Sequence, residues 1–172
     1  MVVTVPTQTS PLLPADYLRW QKRLAQAFFA GRRDQPIVMF VDRNELYELA
    51  DEGEDGPQSL ALAVLNVIHL ARGASMFARV TAAERVWQSG DRQTPPPTLP
   101  ILAITVLAAS EMGSDAAGAS HNYYIRLAGA LLPGAPRESV EQLRHELRSR
   151  GAFVAVADMW KELGQWLGAR DG

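Results

Sequence analysis

Residues 95–112 read PPPTLPILAITVLAASEM. Three consecutive prolines and a fourth at Pro100 stiffen the approach, because each proline fixes its own φ and biases its predecessor away from the helix. The segment that follows is apolar on nearly every side, and Glu111 is its only charge. A helix apolar all round belongs in the middle of a core or in a membrane. At about a dozen residues it falls well short of the roughly 20 needed to cross a bilayer, so a core is expected and a membrane is not. The fold class that follows is mainly α with minor β: a single compact helical domain around a buried central helix.

Outward from that helix, the chain of 172 residues fits one domain with a real hydrophobic core. Residues 1–13 carry no Lys or Arg and no long apolar block, so they read as a flexible lead-in rather than a secretory signal. Residues 14–172 read as the helical domain, with a Pro-rich connector at 89–100. Apolar residues make up 47% and charged residues 21%, ordinary for a globular protein. The net charge of -2 gives no push toward nucleic acid or an anionic membrane. With no cysteine there is no disulfide, thiol nucleophile or thiolate metal site, and a cytoplasmic location is the default. Fifteen of the 17 basic residues are Arg, which GC-rich coding alone produces and which also suits interfaces.

Helical spacing of Tyr17, Trp20, Leu24, Ala27 and Phe28 predicts a helix over 14–30, stopped by Gly31. The apolar run from Ile37 to Val41 predicts a buried strand, and Asp42 with Glu45 has the spacing that starts a helix over 43–49. Gly53, Gly56 and Pro57 predict a surface loop, with Ser59 capping the next helix up to Gly73. Residues 76–80 fit either a strand or a helix entry, and Thr81 with Glu84 suggests a helix start. After the central helix, 114–120 reads as a small-residue connector and 121–132 as a helix. Ser139 with Gln142 suggests the start of another helix, stopped by Gly151. Residues 153–157 fit a strand or the first turns of a last helix, whose stripe is Met159, Trp160, Leu163, Trp166 and Leu167.

Asp42 is the foremost catalytic candidate, because a carboxylate at the end of a buried strand can join others around a divalent cation. The string Val41-Asp42-Arg43-Asn44-Glu45-Leu46 resembles the opening motif of PIN-type metal-dependent ribonucleases. That resemblance implies a small Mg-dependent nuclease centred on Asp42, with Asp158 the one later acid that follows an apolar run. The competing expectation is that both acids are helix N-caps, so that no residue is catalytic. The acidic run from Asp42 to Asp55 lacks calcium-loop spacing, and His69, His121 and His145 lack the pairing of a zinc site, so no metal and no cofactor are expected. Arg137, Arg144, Arg148 and Arg150 are interleaved with Glu138, Glu141 and Glu146, which dilutes any phosphate-tracking face. Nucleic acid is therefore not the expected direct ligand, and a nucleic-acid-contacting accessory subunit is a further alternative.

The remaining signal is the surplus of Trp and Arg on amphipathic helices, the residue types enriched at interface hot spots. The expected partner-binding residues are Trp160, Trp166, Arg144 and Arg148. The pattern at 99–112, 121–127 and 160–167 resembles helical modules of bacterial phage-defence proteins, and that resemblance carries no functional residue. Taken together, the sequence leads to a non-enzymatic helical adaptor or assembly module that binds another protein or itself.

Overall fold

The computed structural model describes residues 13–30, 39–68, 76–90, 92–112, 119–149 and 151–170. Among them are eight helices and no strand: α1 (Ala15–Phe28), α2 (Arg43–Leu49), α3 (Gly56–Leu65), α4 (Ala78–Ser89), α5 (Leu99–Met112), α6 (Ala119–Leu131), α7 (Arg137–Ser149) and α8 (Ala152–Arg170). The fold is mainly α, as the sequence implies.

α5 is the central helix. It packs against α1, α3, α6 and α8, and Leu99, Ile101, Leu102, Ala103, Ile104, Leu107 and Ala108 are all buried. Thr105 is buried too, and its hydroxyl donates back to the Leu102 carbonyl at 2.7 Å, which satisfies it inside the helix. Only the last turn reaches the surface, where Glu111 pairs with Arg43 of α2 at 2.9 Å. α1 turns Tyr17, Trp20, Leu24 and Phe28 inward at helical spacing. Trp20 donates its indole N–H to Ser59 of α3 at 3.0 Å, and Arg23 lies over the Trp20 ring at 4.9 Å.

The acidic run is largely consumed by this scaffold. Asp42 caps α2 by accepting from Glu45 N at 2.8 Å, and Asp55 caps α3 by accepting from Gln58 N at 3.1 Å. Arg23 holds Asp51 at 2.8 Å and Glu54 at 2.6 Å.

Several local expectations are corrected. α3 begins at Gly56 under an Asp55 cap, not at Ser59, because Pro57 occupies the first turn, where its missing N–H costs nothing. Gly56 is buried against α2: a Cβ there would overlap the Leu46 carbonyl and lie 2.9 Å from Tyr47 N. The glycine is thus the point where two helices touch. α4 begins at Ala78, so residues 76–80 lead into a helix and Thr81 lies inside it. α7 begins at Arg137, directly after Pro136, which places Ser139 in its first turn rather than before it. Residues 153–157 are helical. Gly151, at φ 69°, separates α7 from α8 with a left-handed turn that other residues rarely adopt. Asp158 consequently lies inside α8, not at a cap, and Gly168 does not end that helix.

Residues 39–42 are irregular, and the first part of the expected strand lies outside the described residues. The same holds for residues 1–12, Gly31, His69, Gly73, the connector at 114–118 and Arg150. Leu13, assigned by the sequence to the lead-in, is buried in the core.

Candidate functional site

The proline-rich segment 92–98 presents a particular bonding problem. Prolines at 95, 96 and 97 have no N–H to pair with a neighbouring strand or turn, but their carbonyls still require donors. The Thr98 N–H donates to the Pro96 carbonyl at 2.8 Å, and side chains supply the other donors to this segment. Trp166 Nε1–H donates to the Arg92 carbonyl and Trp87 Nε1–H to the Thr94 carbonyl, each at 2.8 Å. Gln21 Nε2–H donates to the Pro96 carbonyl and the Tyr17 hydroxyl to the Pro97 carbonyl, again each at 2.8 Å. The other end of the Gln21 amide accepts from Leu99 N at 3.0 Å, so one side chain ties the strap to the first turn of α5. Arg92 enters the strap at φ 54°, a left-handed conformation that costs a non-glycine residue energy.

Burial, and secondarily the nearby Glu84 carboxylate, pushes Tyr17 well above its ordinary value of 10. Tyr17 therefore remains a protonated donor at any physiological pH. Donors from α1, α4 and α8 thus converge on one extended segment and fix it.

The strap forms one wall of a groove of about 670 Å³, within the size range of ligand sites. α1 supplies another wall through Leu18, Lys22 and Ala25, and Phe29, Trp87 and Trp166 supply the aromatic surface. Phe29 and Trp166 meet edge to face with ring centroids 5.9 Å apart. Both indole N–H groups are engaged with the strap, so the rings contribute hydrocarbon to the lining; Trp87 is half-buried, whereas Phe29 and Trp166 are buried. Among the described residues, Lys22 is the one charged residue of the lining, and it makes no ion pair. Gln26, Gln93 and Thr94 add polar groups at the edge.

Two partly buried carboxylates adjoin the groove. Glu84 lies one turn before Trp87 on α4, and Glu162 one turn before Trp166 on α8. Gln88 donates to Glu162 Oε2 at 2.8 Å. Burial first, then Glu162, then Asp158, raises the Glu84 carboxyl from 4.5 to about 7. One oxygen each of Glu84 and Glu162 is buried without a hydrogen-bond partner.

The residues singled out in the sequence are scattered. Trp166 is buried and belongs to the strap and groove. Trp160, on the same helix, is 37% exposed. Arg144 is half-buried on α7 and pairs with Glu141 at 2.9 Å, while Arg148 is exposed. No hydrogen bond, ion pair or ring contact among the described residues links either Arg to either Trp. Asp42 is engaged as a cap, Asp158 is exposed on α8, and no group of three His, Asp or Glu among the described residues is placed to hold a metal ion. Among the described residues, no helix is long and apolar enough to cross a membrane.

Sequence reasoning missed Trp87, Gln21 and Lys22. Trp87 stands in the mixed run Arg85-Val86-Trp87-Gln88-Ser89, where periodicity does not distinguish it. The signal that could have found these residues is the proline run itself, whose unpaired carbonyls demand donors from elsewhere in the chain. No protein family, curated protein or solved structure matches the chain.

Proposed function

We propose that the chain is a non-enzymatic binding module of a multiprotein assembly, and that it captures a short apolar, acid-bearing segment of a partner protein in the groove between α1, the proline strap and α8. The observation that carries this reading is the combination of an aromatic lining, a pre-fixed wall and, among the described residues, a single unpaired cation at Lys22. Because the strap is already bonded to three helices, little ordering has to accompany binding, which favours affinity. The apolar lining rewards aliphatic or aromatic anchors. Lys22 rewards a carboxylate beside them and discriminates against a second cation. Within this proposal the setting is the cytoplasm, on the absence of cysteine, and a phage-defence context rests on sequence resemblance alone.

The test is a random-peptide display selection against the full chain, with Lys22→Glu and Leu18→Glu as counter-targets. Leu18 is 40% exposed and Lys22 is exposed, so neither change disturbs the core. Enriched peptides should combine apolar anchors with Asp or Glu and lose binding to both variants. Peptides that are basic, or that bind the variants as well as the parent chain, would overturn the reading. A purified chain that dimerises through this face would likewise replace the partner segment with a second copy.

A further inference from the structure

The carboxylates beside the groove have no role in the scaffold described so far. Glu84 of α4 is approached by Glu162 and Asp158 of α8, and by the neutral Tyr17 hydroxyl of α1. Among the described residues, its ionisation is set by burial and the two acids, with no Arg or Lys among them. Arg85 on the same helix is exposed, and Arg79 donates to the Asn66 carbonyl instead. α5 contributes no titratable group here, because its one charge, Glu111, is paired with Arg43 at its far end. Among the described residues, Glu84 and Glu162 thus meet between α4 and α8 without a counter-ion, Asp158 acts from the exposed side of α8, and one oxygen of each glutamate is buried and unpartnered.

α4 is also the helix that lies least closely against the others among the described residues. Side-chain bonds tie it to the rest: Gln88 to Glu162, Trp87 to the strap and Arg79 to the end of α3. Two of those three ties lie within one turn of Glu84. A change in charge at Glu84 therefore acts directly on the bonds that seat Trp87 against the strap.

We propose that Glu84 is a proton-operated latch, seating α4 against α8 and the proline strap when protonated and loosening that seat, and with it the aromatic wall of the groove, when ionised. Protonated, the carboxyl becomes a hydrogen-bond donor in a contact that otherwise offers carboxylate acceptors. Ionised, it places a negative charge beside Glu162 in a partly dry interface, where like charges repel more strongly than in water. Since burial and the two acids place this transition close to neutral pH, small physiological changes in pH would alter the groove. As a control on partner capture the latch rests on the groove reading above; as a change in the shape of the free protein it does not.

The test uses the free, full-length chain. The indole N–H signals of Trp87 and Trp166 are followed by nuclear magnetic resonance from pH 5.5 to 8.5 in the parent chain, E84Q and E162Q. The Trp87 signal should titrate with a midpoint near 7 in the parent chain. E84Q should lock it close to its low-pH position, and E162Q should move the midpoint down by removing a neighbouring charge. The E84Q comparison separates Glu84 from any other group that ionises in this range. A Trp87 signal that does not titrate, or that titrates alike in E84Q, would overturn the latch. Neither result depends on whether any peptide binds, so failure of the latch and failure of the groove reading are distinguishable.

Discussion

Replacing Gln21 by Leu removes both ends of the amide that joins the strap to α5 while keeping an apolar stem of similar bulk. The Pro96 carbonyl loses one of its two donors, keeping the Thr98 N–H at 2.8 Å, and Leu99 N loses its acceptor at 3.0 Å. Each hydrogen bond contributes about 0.5–1.5 kcal/mol net, and the partly buried Leu99 N–H left unpaired pushes its share toward the upper end. The expected destabilisation is about 1–2 kcal/mol. For a chain of this size each kcal/mol lowers the melting temperature by about 2–4 °C, so the variant should melt roughly 2–8 °C lower. Urea unfolding followed by tryptophan fluorescence measures this as a shift in midpoint at constant slope. Gln21→Glu refines the test. A carboxylate can still accept from Leu99 N but has no proton for Pro96, so its deficit should shrink on acidification as the carboxyl regains a donor. A Gln21→Leu variant within about 0.5 kcal/mol of the parent, the range of an ordinary surface change, would refute the reasoning that side-chain donors fix the strap.

Other expectations follow from single contacts. Gly56→Ala forces α3 away from the Leu46 carbonyl and should cost about 3 kcal/mol in urea unfolding, whereas Gly129→Ala, with nothing within 4 Å of the added carbon, should gain about 0.5–1 kcal/mol. Thr98 is fully buried and its hydroxyl makes no hydrogen bond, so Thr98→Val should leave stability unchanged or raise it by about 1 kcal/mol, read from the same midpoint. The Glu84 carboxyl has its folded-state value raised, so its stabilising protonation is complete below about 4.5 and is lost as pH rises through about 7. Each pH unit in that window is worth at most about 1.4 kcal/mol. Water reaches the half-buried group and screens it, leaving about 1–2 kcal/mol in all. Glu84→Gln should remove this decline and be the more stable protein at pH 8.

The parts of this fold that could be read from the sequence are those set by neighbours along the chain. α5 is legible because an unbroken apolar run behind prolines has one place to go. The inward face of α1 is legible because Tyr17, Trp20, Leu24 and Phe28 keep helical spacing. The start of α3 was obscured by residues with two uses. Gly56 and Pro57 break a helix in its interior, yet at its first turn they permit close approach and need no donor. The groove was the least legible feature, because its geometry comes from Tyr17 and Gln21 meeting carbonyls more than seventy positions away, and Trp166 meeting Arg92 at a similar separation. Trp166 was noticed as an aromatic surplus, but nothing local shows that its indole N–H serves a proline strap.

The central claim is that partner recognition uses the strap-walled groove rather than the α7 and α8 faces bearing Arg144, Arg148 and Trp160. Mapping a display-selected peptide on the isotopically labelled chain tests it directly. The account expects amide shifts along residues 18–26 of α1 and at Gln93 and Thr94, together with changes in both the Trp87 and Trp166 indole signals. Shifts confined to α7 and the Trp160 turn of α8, with the Trp87 indole unmoved, would contradict it.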